Sequence, residues 1–310
     1  MTEFFARLEK YGLPGRDCHE LPDSPLRFPD GGHYRIEISG VERLSTLEAM
    51  IDEAERRRVP VHRIIATVGG ATLLDARELR EFAKVARECR LEVIVTPALS
   101  RGWDTGRQLV TREGLVSGLR IRGADNLSYV VGDILRCVEA GFRGFLVVDE
   151  GLLWLLGRMR EQGDIPPRTV FKVSVFTGHA NPAGAKVLEM LGADTFNPLA
   201  DLSPAMLAAI RRAVRMPMDV YVSLVDAMGG VVRLWEAAEI ARVAAPCYLK
   251  FEPGESEGAL YKPWVSEEFH ARLVREKVKQ AEIMMELVAK VSPSVRPSPP
   301  GPEDLALPEP

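Results

Sequence analysis

Charged and polar side chains alternate with aliphatic ones in several short segments, which would gather acids, bases and cations on one face. Glu37 and Ser39 alternate with isoleucines in one segment, and Lys250 lies between Leu249 and Phe251 in another. Successive side chains of a strand point to opposite faces, so each segment has an aliphatic face and a polar face. A carboxylate near a lysine suits general acid–base chemistry, and a lysine on a strand can also form an imine.

The elements that must position these side chains follow a repeating strand–helix pattern. Nine segments read as strands: Arg35–Val41, Arg63–Val68, Glu92–Pro97, Gly118–Arg122, Gly144–Glu150, Phe171–Phe176, Asp194–Asn197, Asp219–Leu224 and Cys247–Phe251. The pattern predicts an α/β fold, a (β/α)8 TIM-like barrel with one surplus strand. An open doubly wound sheet is the alternative, but no glycine-rich dinucleotide turn follows the first strand, so no nucleotide cofactor is expected.

In a barrel the helices cover the outer faces of the strands, so the polar faces must point into the lumen. This predicts five cations facing four carboxylates: Arg35, Arg120, Arg122, Lys172 and Lys250 against Glu37, Glu150, Asp219 and Glu252. Buried charges must be paired, and we expect Lys172 to form an ion pair with Glu37 or Asp219. The surplus of cations favours a small anionic molecule or a peptide carboxylate as ligand.

Barrel enzymes carry their chemistry at the carboxyl ends of the strands. The catalytic candidates there are Glu37, Glu150, His179 and Lys250. The candidates for substrate binding are Ser39, Arg120, Arg122, Ser174, Asn197 and Glu252. A divalent metal ion could be held among Glu37, Asp149, Glu150 and His179, because carboxylates and imidazole are suitable ligands.

Composition narrows the class of protein. The chain has 310 residues, 46% of them hydrophobic and 27% charged, with a formal net charge of −4. No basic block interleaved with aromatic residues points to nucleic acid. The sequence shows neither a signal peptide nor a long apolar run, and its four cysteines are widely spaced. It therefore predicts a cytoplasmic protein with reduced thiols and no membrane partner.

The two ends of the chain differ from its middle. Residues 1–34 read as an irregular extension, 35–291 as a single barrel domain and 292–310, with seven prolines, as a disordered tail. Helix starts are expected at a Ser45–Glu48 capping box, at Asn181 and at Ser203. The long helical segment from Glu267 to Lys290 could pack on the barrel or serve a homo-oligomer.

Five short motifs carry a family resemblance. They are Ser45–Ala49, Phe145–Leu153, Asn181–Lys186, Leu191–Asp194 and Asp201–Ser203. In their order along residues 35–225 they resemble the collagenase-like peptidases of unassigned catalytic type, family 32 of that class. The resemblance implies a barrel-like domain and a hydrolase activity.

The same family includes proteins that modify RNA or quinones with an iron–sulfur cluster, held by cysteines in the C-terminal half. Cys247 is the only cysteine after Cys137, so no iron–sulfur cluster is expected and the chain would be a divergent member.

Three hypotheses for function remain open. The first is a hydrolase of peptides or small amide or carboxylate substrates. The second is a metal- or lysine-dependent lyase or isomerase, similar to an aldolase, acting on a small anionic metabolite, with Lys250 as the imine former. The third is a non-catalytic binding or scaffold protein with a structural polar lumen.

Overall fold

Eight parallel strands in the described part of the chain close into a barrel, with the eighth strand next to the first. The computed structural model describes residues 7–66, 71–97, 120–256 and 264–309. The strands are β1 (Tyr34–Val41), β2 (Val61–Ala66), β3 (Glu92–Val95), β4 (Gly144–Val147), β5 (Val170–Val173), β6 (Thr195–Phe196), β7 (Met218–Ser223) and β8 (Cys247–Phe251). This closed ring confirms the predicted (β/α)8 barrel, and the open doubly wound alternative is wrong.

An α-helix follows each strand in sequence order. The helices are α1 (Leu44–Arg57), α2 (Ala76–Glu88), α3 (Gly123–Glu139), α4 (Glu150–Gln162), α5 (Pro182–Met190), α6 (Pro204–Ala213), α7 (Ala237–Ala244) and α8 (Glu267–Val291). None of these helices combines the length and apolar character needed to cross a bilayer.

The surplus strand candidate is the one predicted at Gly118–Arg122. Arg120–Arg122 have no strand structure and lead directly into α3, whereas Gly118 and Leu119 lie outside the described residues.

Along β1 the aliphatic side chains face the helices and the polar side chains face the lumen, as predicted. Ile36 and Ile38 are fully buried in the layer between the strands and the helices. Burial of an aliphatic side chain of this size contributes about 2 kcal/mol to folding. Glu37, between them, points into the lumen and is in register with Arg63 on β2 and Lys250 on β8. The outer layer therefore stabilises the barrel, and its interior is free to hold polar groups.

Short polar side chains cap five of the helices that start at the carboxyl end of the barrel, among them α4, α5 and α6. Asp149 accepts hydrogen bonds from two backbone amides of α4, Asn181 caps α5 and Ser203 caps α6. The last two confirm the predicted helix starts. The Ser45 capping box is wrong, because α1 begins earlier, after Arg43, with no side-chain cap.

The C-terminal residues 292–309 pack across the amino end of the barrel. Leu305 is fully buried and Ala306 nearly so. The Asp304 carboxylate binds the Arg35 guanidinium through two hydrogen bonds of 2.6 and 3.0 Å. The predicted disordered tail is therefore wrong. Its proline content suggested disorder, but a few apolar side chains and one aspartate give the segment a buried face and an ion pair.

Candidate functional site

Seven charged side chains, six of them on strands and one directly after β8, meet inside the barrel. We call them the lumen cluster: Glu37, Arg63, Glu92, Lys172, Asp219, Lys250 and Glu252. None is more than 4% exposed. Ions this deeply buried are stable only when they are paired, and each has an opposite charge within 4.0 Å.

The lower part of the cluster is organised by Arg63. Its guanidinium pairs with Glu92, with Asp219 at 3.0 Å and with Glu37 at 3.4 Å. Its face stacks on the Tyr248 ring, 3.5 Å from the ring centroid. Arg63 is not among the predicted site residues, although it opens a predicted strand with the same inward parity as Ile65. The planar guanidinium can satisfy several carboxylates at once, so this residue holds the base of the lumen together.

Lys172 lies between two carboxylates at the centre of the lumen. Its Nζ is 3.1 Å from Glu37 Oε1 and 2.6 Å from Asp219 Oδ2, and its side chain is fully buried. This confirms the predicted ion pair. Burial lowers the pKa of Lys172 and raises the pKa of Asp219, and their mutual attraction offsets those effects only in part.

For Glu37, burial opposes ionisation, but three cations outweigh it and hold its pKa below the ordinary value. The cations are Lys172, Lys250 and Arg63. Glu37 is thus an ionised structural partner in the structure, and not the free base or metal ligand predicted from the sequence.

The charge balance of the lumen differs from the sequence prediction. Three cations of the lumen cluster face four carboxylates. Arg35, at the amino end, has Asp30 and Asp304 as partners. Arg120 and Arg122 are not on a strand and do not belong to the cluster. The predicted surplus of cations is therefore wrong, which removes the basis on which an anionic ligand was expected.

Towards the carboxyl end of the barrel, which we call the upper lumen, Lys250 and Glu252 of the cluster lie beside the Tyr221 hydroxyl. Lys250 Nζ donates a 2.8 Å hydrogen bond to the Tyr221 hydroxyl and lies 3.1 Å from Glu252 Oε2. The Tyr221 hydroxyl lies 3.4 Å from the same carboxylate oxygen. Burial lowers the pKa of Lys250, but Glu252, Tyr221 and Glu37 outweigh it and hold this pKa well above the ordinary value. Lys250 is therefore a permanent ammonium beside a phenol and a carboxylate.

Three polar atoms near this group have no hydrogen-bond partner in the structure. They are Ser39 Oγ on β1, Asn197 Oδ1 after β6 and Ser223 Oγ on β7. All three residues are at most 1% exposed. The amide nitrogen of Asn197 donates to the Asp219 backbone carbonyl, which fixes the side chain and leaves its oxygen free. Ser39 and Asn197 were predicted to bind substrate, and their unsatisfied atoms fit that role.

A second group lies at the mouth of the barrel, at the start of α4. Glu150 forms an ion pair with Arg120, and its Oε1 lies 2.9 Å from His179 Nε2. His179 packs closely on Gly184, where an added Cβ would lie 2.6 Å from Nδ1. Burial and the nearby Arg120 charge lower the pKa of His179, so the imidazole is neutral at pH 7. The structure thus brings together three predicted site residues: Arg120, Glu150 and His179.

The predicted metal ligands do not converge. Glu37 belongs to the lumen cluster, and the Asp149 carboxylate is used by backbone amides of α4 at 2.8 and 3.1 Å. Over the described ranges, no three His, Cys, Asp or Glu side chains form a group that could hold a metal ion. The predicted set of four ligands is therefore wrong as a set, because helix capping takes one member and ion pairing another.

Two further candidates have structural contacts. The backbone carbonyl of Arg122 accepts a hydrogen bond from Asn126, and its half-buried side chain precedes α3. Ser174 accepts a hydrogen bond from the Phe176 amide and so caps a turn of 3-10 helix after β5. Arg122, predicted to lie on a strand, is instead the residue before a helix.

Comparison with known proteins gives matches among solved structures. No protein-family model matches it, and no curated protein matches it either. Among solved structures, it is similar to the YdjI aldolase from Escherichia coli K12, at 14% identity over 86% of this chain and 92% of that chain, with a TM-score of 0.48. It is also similar to the U32 peptidase Mk0906, at 15% identity over 74% of this chain and 97% of that one, with a TM-score of 0.43.

A third similar structure is a putative fructose-1,6-bisphosphate aldolase from Coccidioides immitis, at 12% identity over 84% of this chain and 93% of that chain, with a TM-score of 0.49. Aldolases and a peptidase thus stand side by side among the similar barrels. At these identities and TM-scores the likeness carries no argument about function.

Proposed function

We propose that the protein is an enzyme that transfers protons on a small carbonyl compound in the upper lumen, as an isomerase or lyase. One observation carries the proposal: Lys250 contacts both Tyr221 and Glu252, and none of the three residues is more than 4% exposed. Charged groups in a dry, preorganised site stabilise developing charge far better than they would in water.

The chemistry assigns a role to each of the three groups. The Glu252 carboxylate removes a proton from the carbon next to the substrate carbonyl, and the electron pair moves to the carbonyl oxygen to give an enolate. The Lys250 ammonium stabilises that oxygen, and the Tyr221 hydroxyl returns a proton to oxygen or carbon. In this scheme Lys250 is not an imine former, because a nucleophilic amine must be neutral and its pKa is held high.

Deuterium exchange tests this scheme without knowledge of the natural substrate. The protein is incubated in D2O with a panel of small aldehydes and ketones, and NMR follows deuterium at the carbon next to the carbonyl. We expect exchange with the wild type and a loss of roughly a hundredfold in Lys250→Met and Tyr221→Phe. Lys84→Met, at an exposed lysine of α2, is the matched control and should exchange like the wild type. Absence of exchange across the panel would refute the scheme.

A second candidate is a hydrolase of peptides or small amides, as the resemblance to the collagenase-like peptidases implies. The observation that favours it is the pair of His179 and Glu150 at the mouth, where a larger substrate could reach it. A neutral imidazole could accept a proton from water while Glu150 holds the imidazole ring in place. Mass spectrometry of a broad peptide mixture tests this activity. New cleavage products that disappear in His179→Ala would support it, and an intact mixture would refute it.

Two further points concern the compartment and the non-catalytic alternative. All four cysteines are free and three of them are buried, which supports a reducing compartment such as the cytoplasm. Failure of both activity assays, together with recovery of one stoichiometric protein partner, would favour the scaffold hypothesis.

A further inference from the structure

The unpartnered atoms of Ser39, Asn197 and Ser223 form a set of neutral hydrogen-bonding groups. Two are hydroxyl oxygens, which can donate and accept, and one is an amide oxygen, which accepts. Ser39 on β1, Ser223 on β7 and Asn197 directly after β6 flank Lys250 on β8 and Glu252 directly after it. A buried polar atom without a partner destabilises a fold, so the presence of three in one region points to a ligand that supplies the missing bonds.

The opposite wall of the upper lumen is apolar. Ile65 on β2 is in register with Ser39, and Ile94 on β3 is in register with Ile65. Both isoleucines are buried, and by strand alternation they face the lumen. Gly144 on β4 leaves room for Ile94, because a Cβ there would lie 2.7 Å from the isoleucine Cδ1. A ligand in this space therefore meets hydroxyl and amide groups on one side and aliphatic carbon on the other.

The charges of the lumen are already matched among themselves. Lys172 has two carboxylate partners, Arg63 has three, and Lys250 has Glu252 at 3.1 Å. An added carboxylate or phosphate would enter a region with four carboxylates and three cations. Burial of that further negative charge would be costly, whereas a hydroxyl group enters without a charge penalty.

We infer that the upper lumen binds a small, uncharged, polyhydroxylated carbonyl compound, whose hydroxyl groups satisfy Ser39, Asn197 and Ser223. This inference rests on the proposed function, since Lys250 and Glu252 are the groups that would act on the carbonyl. The carbon atoms of the ligand pack on the aliphatic side chains of Ile65 and Ile94.

The test compares neutral and anionic probes by their effect on the unfolding temperature. Dihydroxyacetone, erythrulose and ribose form the neutral set, and glycolate, malonate and inorganic phosphate form the anionic set, all titrated over the same millimolar range. A ligand that binds the native state raises the unfolding temperature in a saturable way. We expect saturation with at least one neutral probe and none with the anions.

The double variant Ser39→Ala and Ser223→Ala is the test of the residues. Both hydroxyls lack partners within the protein, so their removal should leave the fold intact or make it more stable. We expect it to weaken binding of the neutral probe at least tenfold, whereas Ser128→Ala, at an exposed serine of α3, should bind like the wild type. Polyols also stabilise proteins in general, but this effect would be equal in the wild type and both variants. A difference between the three proteins therefore reports specific binding.

Two outcomes overturn the inference and remain distinct from failure of the proposed function. Saturable binding of the anionic probes alone, or of no probe, refutes the ligand class. Deuterium exchange on a carbonyl compound without hydroxyl groups would then still support the chemistry at Lys250. Conversely, saturable binding of ribose or its analogues without any exchange would support the ligand class and refute the chemistry.

Discussion

Replacement of Lys277 of α8 by methionine should raise the free energy of unfolding at neutral pH and not at alkaline pH. Its side chain is fully buried, and its Nζ donates a 2.6 Å hydrogen bond to the Ser39 backbone carbonyl. Burial lowers the pKa of Lys277 from 10.5 to about 8, against the opposing effect of the Glu252 and Glu42 carboxylates. An outer helix whose other buried side chains are mostly apolar thus carries a costly cation next to the site.

The cost follows from the pKa difference. A shift of about 2.5 units at 1.36 kcal/mol per unit corresponds to about 3 kcal/mol for keeping Lys277 charged in the native state below pH 8. Between pH 8 and 10.5 the unfolded chain binds this proton and the native state does not, so stability rises with pH. Methionine at this position removes the charge and fills similar space, and it loses the hydrogen bond to the Ser39 carbonyl, worth about 1 kcal/mol.

We therefore expect Lys277→Met to raise the free energy of unfolding by about 2 kcal/mol at pH 7. The gain should vanish near pH 10, because wild-type Lys277 is neutral there in the native state and the small cost that remains is offset by the lost hydrogen bond. Urea unfolding followed by circular dichroism at the two pH values measures it. Lys279→Met, at a half-exposed lysine two residues further on, is the control and should change stability by less than about 0.5 kcal/mol at either pH. A Lys277→Met protein that is less stable than the wild type at pH 7, or whose difference from it does not depend on pH, would refute the reasoning.

Three further changes have outcomes set by contacts in the structure. Lys172→Met leaves two buried carboxylates without their shared cation and should lower the free energy of unfolding by about 3–5 kcal/mol, measured by urea unfolding. Asp304→Asn weakens the ion pair with Arg35 and should cost about 1 kcal/mol, since the aspartate is partly exposed, which a thermal scan detects. Gly184→Ala should displace His179 from Glu150, because the added Cβ meets the ring, and NMR of the imidazole would show a pKa closer to the ordinary value.

Matched controls make the outcomes for Lys172→Met and Gly184→Ala decisive. Lys84→Met removes an exposed lysine and should be neutral in stability. Gly132→Ala in α3 has open space around the new Cβ and should leave the imidazole resonances unchanged. Equal effects of Lys172→Met and Lys84→Met would contradict the buried ion pair, and an unchanged imidazole in Gly184→Ala would contradict the close contact.

The barrel could be predicted from the sequence because alternation along a strand is a strong, local signal. Ile36, Glu37 and Ile38 show which face is apolar, and burial of the aliphatic face is the largest energetic term in the fold. The inward position of Lys172 and its carboxylate partners follows from the same alternation. Such a pattern needs no knowledge of which strands are neighbours.

The charge balance could not be predicted, because it depends on contacts between distant segments. Arg63 meets Glu92 and Asp219 only once the barrel is closed, and the tail aspartate that pairs with Arg35 comes from a segment whose composition suggested disorder. Lys277 was missed for a similar reason. A single lysine in an amphipathic helix looks like a solvated residue until its helix is placed against the strands.

The site at the mouth was only partly predicted. His179 and Glu150 were expected to lie near each other, and they do, since both follow the carboxyl ends of neighbouring strands. Asp149 was expected as a ligand but caps a helix, because a short carboxylate before the first helical residue is held by free backbone amides. The last two residues of the predicted strand Arg63–Val68 lie outside the described residues.

The most direct test of the central claim is the rate of deuterium exchange on a small ketone in Lys250→Met relative to the wild type. We expect measurable exchange in the wild type and a loss of roughly a hundredfold in the variant, with native circular dichroism in both. Exchange in Lys250→Met at the wild-type rate would contradict it, because the ammonium of Lys250 is the group that must stabilise the enolate oxygen.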